Sequence, residues 1–173
     1  MKTNCWARAF AEVAVFLALA GASLGAPPAK DSTRAEFSAA YGKLPLSFEA
    51  NHGQAGGKVK FLARGRGYSL FLNSGEAVLQ LRGAAALRLK LIGGNRAPRV
   101  AGEEELSGKS NYFIGGNPKQ WHLNIPNYAR VRYREVYPGI DLVFYGDQRE
   151  IEFDFIVAPG ANPRAIALDF RGA

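Results

Sequence analysis

Five carboxylates, Asp141, Asp147, Glu150, Glu152 and Asp154, crowd into one stretch of the chain, residues 137–163, YPGIDLVFYGDQREIEFDFIVAPGANP. Two carboxyl groups held a few ångströms apart hydrolyse glycosides, one as acid and the other as base or nucleophile. Several together supply the oxygen ligands that calcium takes, which makes Asp141, Glu150, Glu152 and Asp154 calcium candidates. Their spacing favours a plainer reading. Glu150, Glu152 and Asp154 alternate with Ile151, Phe153 and Phe155, so they occupy the wet face of a strand whose other face is apolar. Upstream, Arg130, Arg132 and Arg134 alternate in the same way with Ala129, Val131 and Tyr133. If the two strands are neighbours, an arginine row beside an acid row forms a salt-bridged ladder that pins register. That ladder is the expected role of these acids, ahead of calcium binding and of catalysis.

The other residues with chemistry in them are sparse. Gly108-Lys109-Ser110 resembles the end of a phosphate-binding loop, but five residues separate Gly102 from Gly108 where the motif needs four, and three of them are Glu. Gly65-Arg66-Gly67 lacks the third glycine and the following helix of a dinucleotide site. His52 and His122 are the only histidines, and two isolated imidazoles make neither a triad nor a zinc site. Nothing here requires a cofactor. The ligand candidates that remain are aromatic: Trp121, Tyr112 and Tyr128 would bind a sugar if two or more formed a flat exposed platform, and would be structural if buried.

These residues are carried on short period-two segments. Leu46, Phe48 and Ala50 share a face, as do Val59, Phe61 and Ala63, then Leu87, Leu89 and Leu91, then Ile140, Leu142 and Phe144, and finally Ile166, Leu168 and Phe170. Gly and Pro clusters separate the segments, and Pro138-Gly139 suits the centre of a type II turn. Residues 99–106 read as an edge strand whose Glu103-Glu104-Glu105 discourages further pairing. Residues 111–114 read as a short separate strand. Asn117-Pro118 predicts a single helical turn, capped by Asn117, that carries Trp121. About nine or ten strands and one short helix, residues 34–41, predict an all-β, antiparallel, two-sheet β-sandwich-like domain.

Composition sets the surroundings. Lys2 and Arg8 precede an apolar run, Val13 to Ala20, too short to span a bilayer, and small residues follow it. Residues 1–25 therefore read as a signal peptide cleaved after Ala22 or Gly25, with no transmembrane segment left afterwards. The only cysteine, Cys5, lies before that run and would leave with it. The mature chain then has no disulfide or thiolate site. Residues 26–40 read as linker and short helix, and residues 41–173 as the domain. The net charge is +7, with nine basic residues and one acid from Lys58 to Arg99, and six acids and one base from Glu135 to Asp154. Two faces attracting each other within the fold account for this better than a nucleic-acid surface, for which no aromatic-interleaved basic run is present.

Four blocks, YGKLPLSFEANHGQ at residues 41–54, KSNYFIG at 109–115, YPGIDLVFY at 137–145 and FDFIVAPGANP at 153–163, occur together and in order. With them the chain resembles the N-terminal domain of unknown function that precedes β-propeller (SBBP) repeats in large exported bacterial proteins. The likeness covers residues 41–173, with His52 standing where glutamine is expected. It implies a secreted, periplasmic or cell-surface module with no known activity and no catalytic residues. A downstream β-propeller region is the implied partner, with cell-surface polysaccharide as a further one. No propeller repeat follows, and the sequence stops at Gly172-Ala173 directly after a strand, so a truncated product is expected. The functional expectation is a non-catalytic structural or interaction module. A carbohydrate-binding module is the alternative, and a glycoside hydrolase comes third.

Overall fold

A computed structural model describes residues 45–83 and 86–172 of the chain. The expected signal peptide, linker, short helix and Cys5 lie outside the described residues. The rest is all-β. Ten strands follow in order: β1 (Phe48–Ala50), β2 (Val59–Gly65), β3 (Tyr68–Asn73), β4 (Glu76–Leu81), β5 (Ala86–Leu91), β6 (Arg99–Tyr112), β7 (His122–Tyr137), β8 (Ile140–Gly146), β9 (Ile151–Val157) and β10 (Leu168–Arg171). Single 3-10 turns at Pro118–Gln120 and Pro163–Ala165 interrupt them. Each turn begins with an Asn-Pro pair, and Asn117 and Asn162 each accept a hydrogen bond from the backbone N–H two residues on. Proline at the first position loses only an N–H that would have no partner there.

Every pairing is antiparallel, and the strands form one continuous sheet in the order β10-β5-β4-β3-β2-β1-β7-β8-β9, with β6 beside β7. On one edge β7 runs along β6; on the other it meets first β1 and then β8. The sheet curls so that its two halves share one core. Phe61, Leu70, Leu72 and Ala77 from one half are buried with Val131, Tyr133, Ile140, Leu142 and Phe144 from the other. Two buried tyrosines also link the halves through polar groups. Tyr133 donates its hydroxyl to the Asn73 carbonyl at 2.8 Å, and Tyr137 hydrogen-bonds the carbonyls of Ile92 and Ala167 at 2.9 and 3.0 Å.

The local readings are met at several places. Gly139 has φ +71°, as the second central position of a type II turn requires. A Cβ there would lie 2.9 Å from the Ala161 side chain. The expected edge strand exists, but it is longer: β6 runs from Arg99 to Tyr112 and pairs with β7 alone, taking in Asn111 and Tyr112 of the segment read as separate, while Phe113 and Ile114 lie beyond its end. Pairing with β7 lapses after Glu105 and resumes at Lys109, and across the gap Asn127 donates to the Gly108 carbonyl and accepts from the Ser110 hydroxyl, a non-local hold invisible to periodicity.

Strict alternation fails along β7. Tyr128 and Val131 both face the core although three residues apart, a separation that would put them on opposite faces of a regular strand. Across from this step Glu104 has φ +57°. Further along, Glu135 has φ +50°, and the register slips between Tyr133 and Tyr137, which lets Val136 and Tyr137 both be buried.

Candidate functional site

The acids of the β8–β9 hairpin do not converge. Asp141, at the start of β8, accepts from Arg132 Nε at 2.8 Å and pairs with Nη2 at 2.7 Å, while its other oxygen accepts the Glu135 N–H at 2.6 Å. Asp147 caps its own turn, accepting from the N–H groups of Arg149 and Glu150. Glu150 is exposed beside that turn, and its carbonyl accepts the Asp147 N–H at 3.0 Å. Asp154 accepts the Tyr145 hydroxyl at 2.8 Å. Burial, and then that bond to a carboxylate, raises the Tyr145 pKa above its ordinary value. Among the described residues no three His, Cys, Asp or Glu side chains gather closely enough to hold a metal ion.

The ladder takes a different form from the expected one. β8 lies between β7 and β9, so the arginine and acid rows share a face but stand two strand spacings apart, about 10 Å. The arginines find their acids on β6 and β8 instead. Arg130 pairs with Glu104 at 3.1 Å, Arg132 with Glu103 and Asp141, and Arg134 with Glu103. The link to β9 runs through an aromatic ring: the Arg130 guanidinium lies 5.3 Å from the Tyr145 ring centre, and Tyr145 in turn bonds Asp154. The two charge-biased segments behave similarly. Arg64 pairs with Glu49, and Arg88 and Lys90 pair with Glu76, all within their own half of the sheet.

The aromatic candidates sit on or near the β6–β7 arm. Tyr128 packs edge-on against Phe61 at 5.8 Å and lies over Gly102. Tyr112 donates its hydroxyl to Glu49 and receives a bond from Arg64, which itself pairs with Glu49 at 2.8 Å. This three-membered link ties the outer part of the arm to β1 and β2. Trp121 donates its indole N–H to the Gly115 carbonyl at 3.2 Å and meets Phe113 edge-on, centroids 5.1 Å apart at 78°. The three do not form a common flat platform.

The histidines, far apart in sequence, come into one neighbourhood. His122 on β7 lies against Gly53, the residue after His52, so closely that a Cβ on Gly53 would be 2.8 Å from the ring. The loop that carries His52 holds itself. Asn51 donates to the carbonyls of Ala55, Gly56 and Val59 and accepts from the N–H groups of Gly53 and Ala55, while Gln54 bonds Ala50 and His52. The amides of the FEANHGQ block are thus spent on shaping a turn.

Two hollows among the described residues differ widely in size, about 20 and 490 Å³. One, about 20 Å³, is lined mainly by Ala77, Leu89, Leu91, Tyr133, Leu142 and Phe144, and has the size of a water molecule. A larger, open depression follows the turns at residues 93–95 and 135–139 and contains a single carboxylate, Glu135.

What the sequence reading missed is the apolar tip of the arm. Phe113, Ile114 and Leu123 are 66%, 52% and 45% exposed, next to Trp121. The available signal was two large apolar residues immediately before Gly115-Gly116, where a turn leaves no strand face for both.

Residues 48–173 match the family model described as Domain of unknown function (DUF7948). The chain belongs to that family. The match runs from the first residue of β1 to residue 173, so all ten strands lie within it. No curated protein and no solved structure matches the chain.

Proposed function

We propose that this DUF7948 chain is an exported, non-catalytic structural or interaction module of a cell-surface or secreted β-propeller-repeat protein. One observation carries the reading: the polar groups that would do chemistry are turned to the domain's own construction. Asp141 holds Arg132 and the Glu135 amide, Asp154 holds Tyr145, and Tyr112 is locked to Glu49 and Arg64. The four blocks resembling domains that precede SBBP repeats support the propeller context. The curled sheet, with its halves sharing one core, serves here as the sandwich-like body of such a module.

Four measurements test the proposal. A chain produced with its N-terminus in a bacterial host is expected outside the cytoplasm, beginning at Ser23 or Ala26; a cytoplasmic product that keeps Met1 refutes export. Mixing it with purified SBBP repeats is expected to give a complex by analytical ultracentrifugation, and two independent species would refute the partner. Calcium titration and a glycan array are expected to stay silent. A calcium signal lost in Asp141→Asn, or a glycan signal lost in Trp121→Ala, would put a binding module in its place.

A further inference from the structure

The geometry points to the tip of the β6–β7 arm as a contact site for an anionic phospholipid surface, independent of the propeller reading. Phe113, Ile114, Trp121 and Leu123 form a protruding apolar group at the end of the hairpin. The Phe113 ring stands perpendicular to the indole, so the pair makes a wedge and not a stacking plate. A tryptophan suits the boundary between water and acyl chains, where its apolar body and polar N–H are both satisfied, and the Phe113 ring beside it adds apolar surface.

The charge around this tip has one sign. No Asp or Glu occurs from residue 106 to residue 134, while Lys109 and Lys119 do. Lys109 is paired with Glu105, but Lys119 has no ion-pair partner among the described residues. The loop at residues 51–58, which touches His122 through Gly53, adds Lys58 and no acid. Two acids border this region, and both are paired: Glu105 with Lys109, and the mostly buried Glu49 with Arg64 and Tyr112. Basic residues near an anionic bilayer are attracted within about 8 Å, the Debye length at physiological salt. A second copy of the chain is a poor occupant. Three side chains exposed by about half offer roughly 300 Å² at ~150–250 Å² per large side chain, whereas a stable dimer covers about 800 Å² on each partner.

The experiment uses the full chain carrying Trp6→Phe, so that Trp121 is the only indole. Vesicles of phosphatidylglycerol and phosphatidylethanolamine are expected to blue-shift its emission, and brominated lipid to quench it. The signal reports the surroundings of Trp121, and the variants at the tip separate its insertion from binding by another segment. Phe113→Ser with Ile114→Ser should weaken the response about tenfold or more, the effect of losing large apolar side chains from the contact. Both residues are exposed, so the variant keeps its circular dichroism. Lys119→Glu, a second variant, should weaken it on anionic vesicles, as should added salt. No quenching, an equal response with phosphatidylcholine vesicles, or an unchanged response in both variants would overturn the proposal. So would self-association that the serine substitutions abolish, since that would assign the tip to a second copy.

Discussion

Replacing Gly102 with alanine should destabilise the domain, although glycine is normally the poorer residue in a strand. An ordinary Gly→Ala change in a strand gains roughly 0.5–1 kcal/mol by restricting the unfolded chain. Here the new Cβ would lie 2.3 Å from Tyr128 Cγ and 2.5 and 2.6 Å from the two Cδ atoms. Carbon atoms rest about 3.5–4.0 Å apart, so the ring must withdraw by more than an ångström. It cannot do so freely, because its other side meets Phe61 and the core. Overpacking of this kind costs about 1–3 kcal/mol, which exceeds the entropic gain. A net loss of about 1–2 kcal/mol is expected, read as a lower urea midpoint at unchanged slope. A double-mutant cycle identifies the cause. In a Tyr128→Ala background the same glycine substitution meets no ring and should be neutral or stabilising, giving a coupling of about 1–3 kcal/mol. A Gly102→Ala midpoint at or above wild type, or an equal loss with and without the ring, would refute the reasoning.

Asn51→Ala removes five hydrogen bonds that shape the loop at residues 51–57 and should cost about 1–3 kcal/mol. Hydrogen exchange at the Gly53 and Ala55 amides should accelerate, and unchanged protection there would count against the bonding described. Arg132→Ala leaves Asp141 half-buried without its cation and should lower stability by about 1–2 kcal/mol. Lysine should rescue this only in part, because it lacks the planar fork; full rescue would show that charge alone matters. Burial, and then Asp147, raises the Tyr68 pKa to about 12 from the usual 10.0. A raised pKa means that the folded state holds the proton more tightly. This contribution is therefore intact below pH 10 and is lost as pH climbs from about 10 to 12. Tyr133, raised by burial, acts in the same direction. Denaturation midpoints across that range should fall less steeply in Tyr68→Phe, and identical slopes would argue against a buried hydroxyl.

Alternation gave the core-facing Leu89 and Leu91 of β5 and Ile140, Leu142 and Phe144 of β8, although Val143 on the other face of β8 is buried as well. Features fixed by a single residue's chemistry were legible too: the positive φ of Gly139 and the Asn117-Pro118 turn. The site was harder. Arg130, Arg132 and Arg134 were correctly placed on one face, but their acids were sought on β9 and found on β6 and β8. Parity assigns a side chain to a face and says nothing about which strand lies next door. Glu103 and Glu104, read as a guard against edge pairing, turn out to be partners of those arginines.

The all-β class of the fold was legible in the chain, because period-two patterning and turn chemistry are local properties. The absence of acids from residue 106 to residue 134 is likewise a property of the chain alone. Tertiary structure alone decided how the strands join. Segments that could have formed two separate sheets are connected through β1 and β7 into one curled sheet. It also decided where alternation breaks, at the left-handed Glu104 and Glu135, and so which way Tyr128 faces. Those outcomes depend on pairing between residues far apart in the chain. The acid hairpin therefore carries the imprint of a site in its composition, while its neighbours in space make it part of the wall.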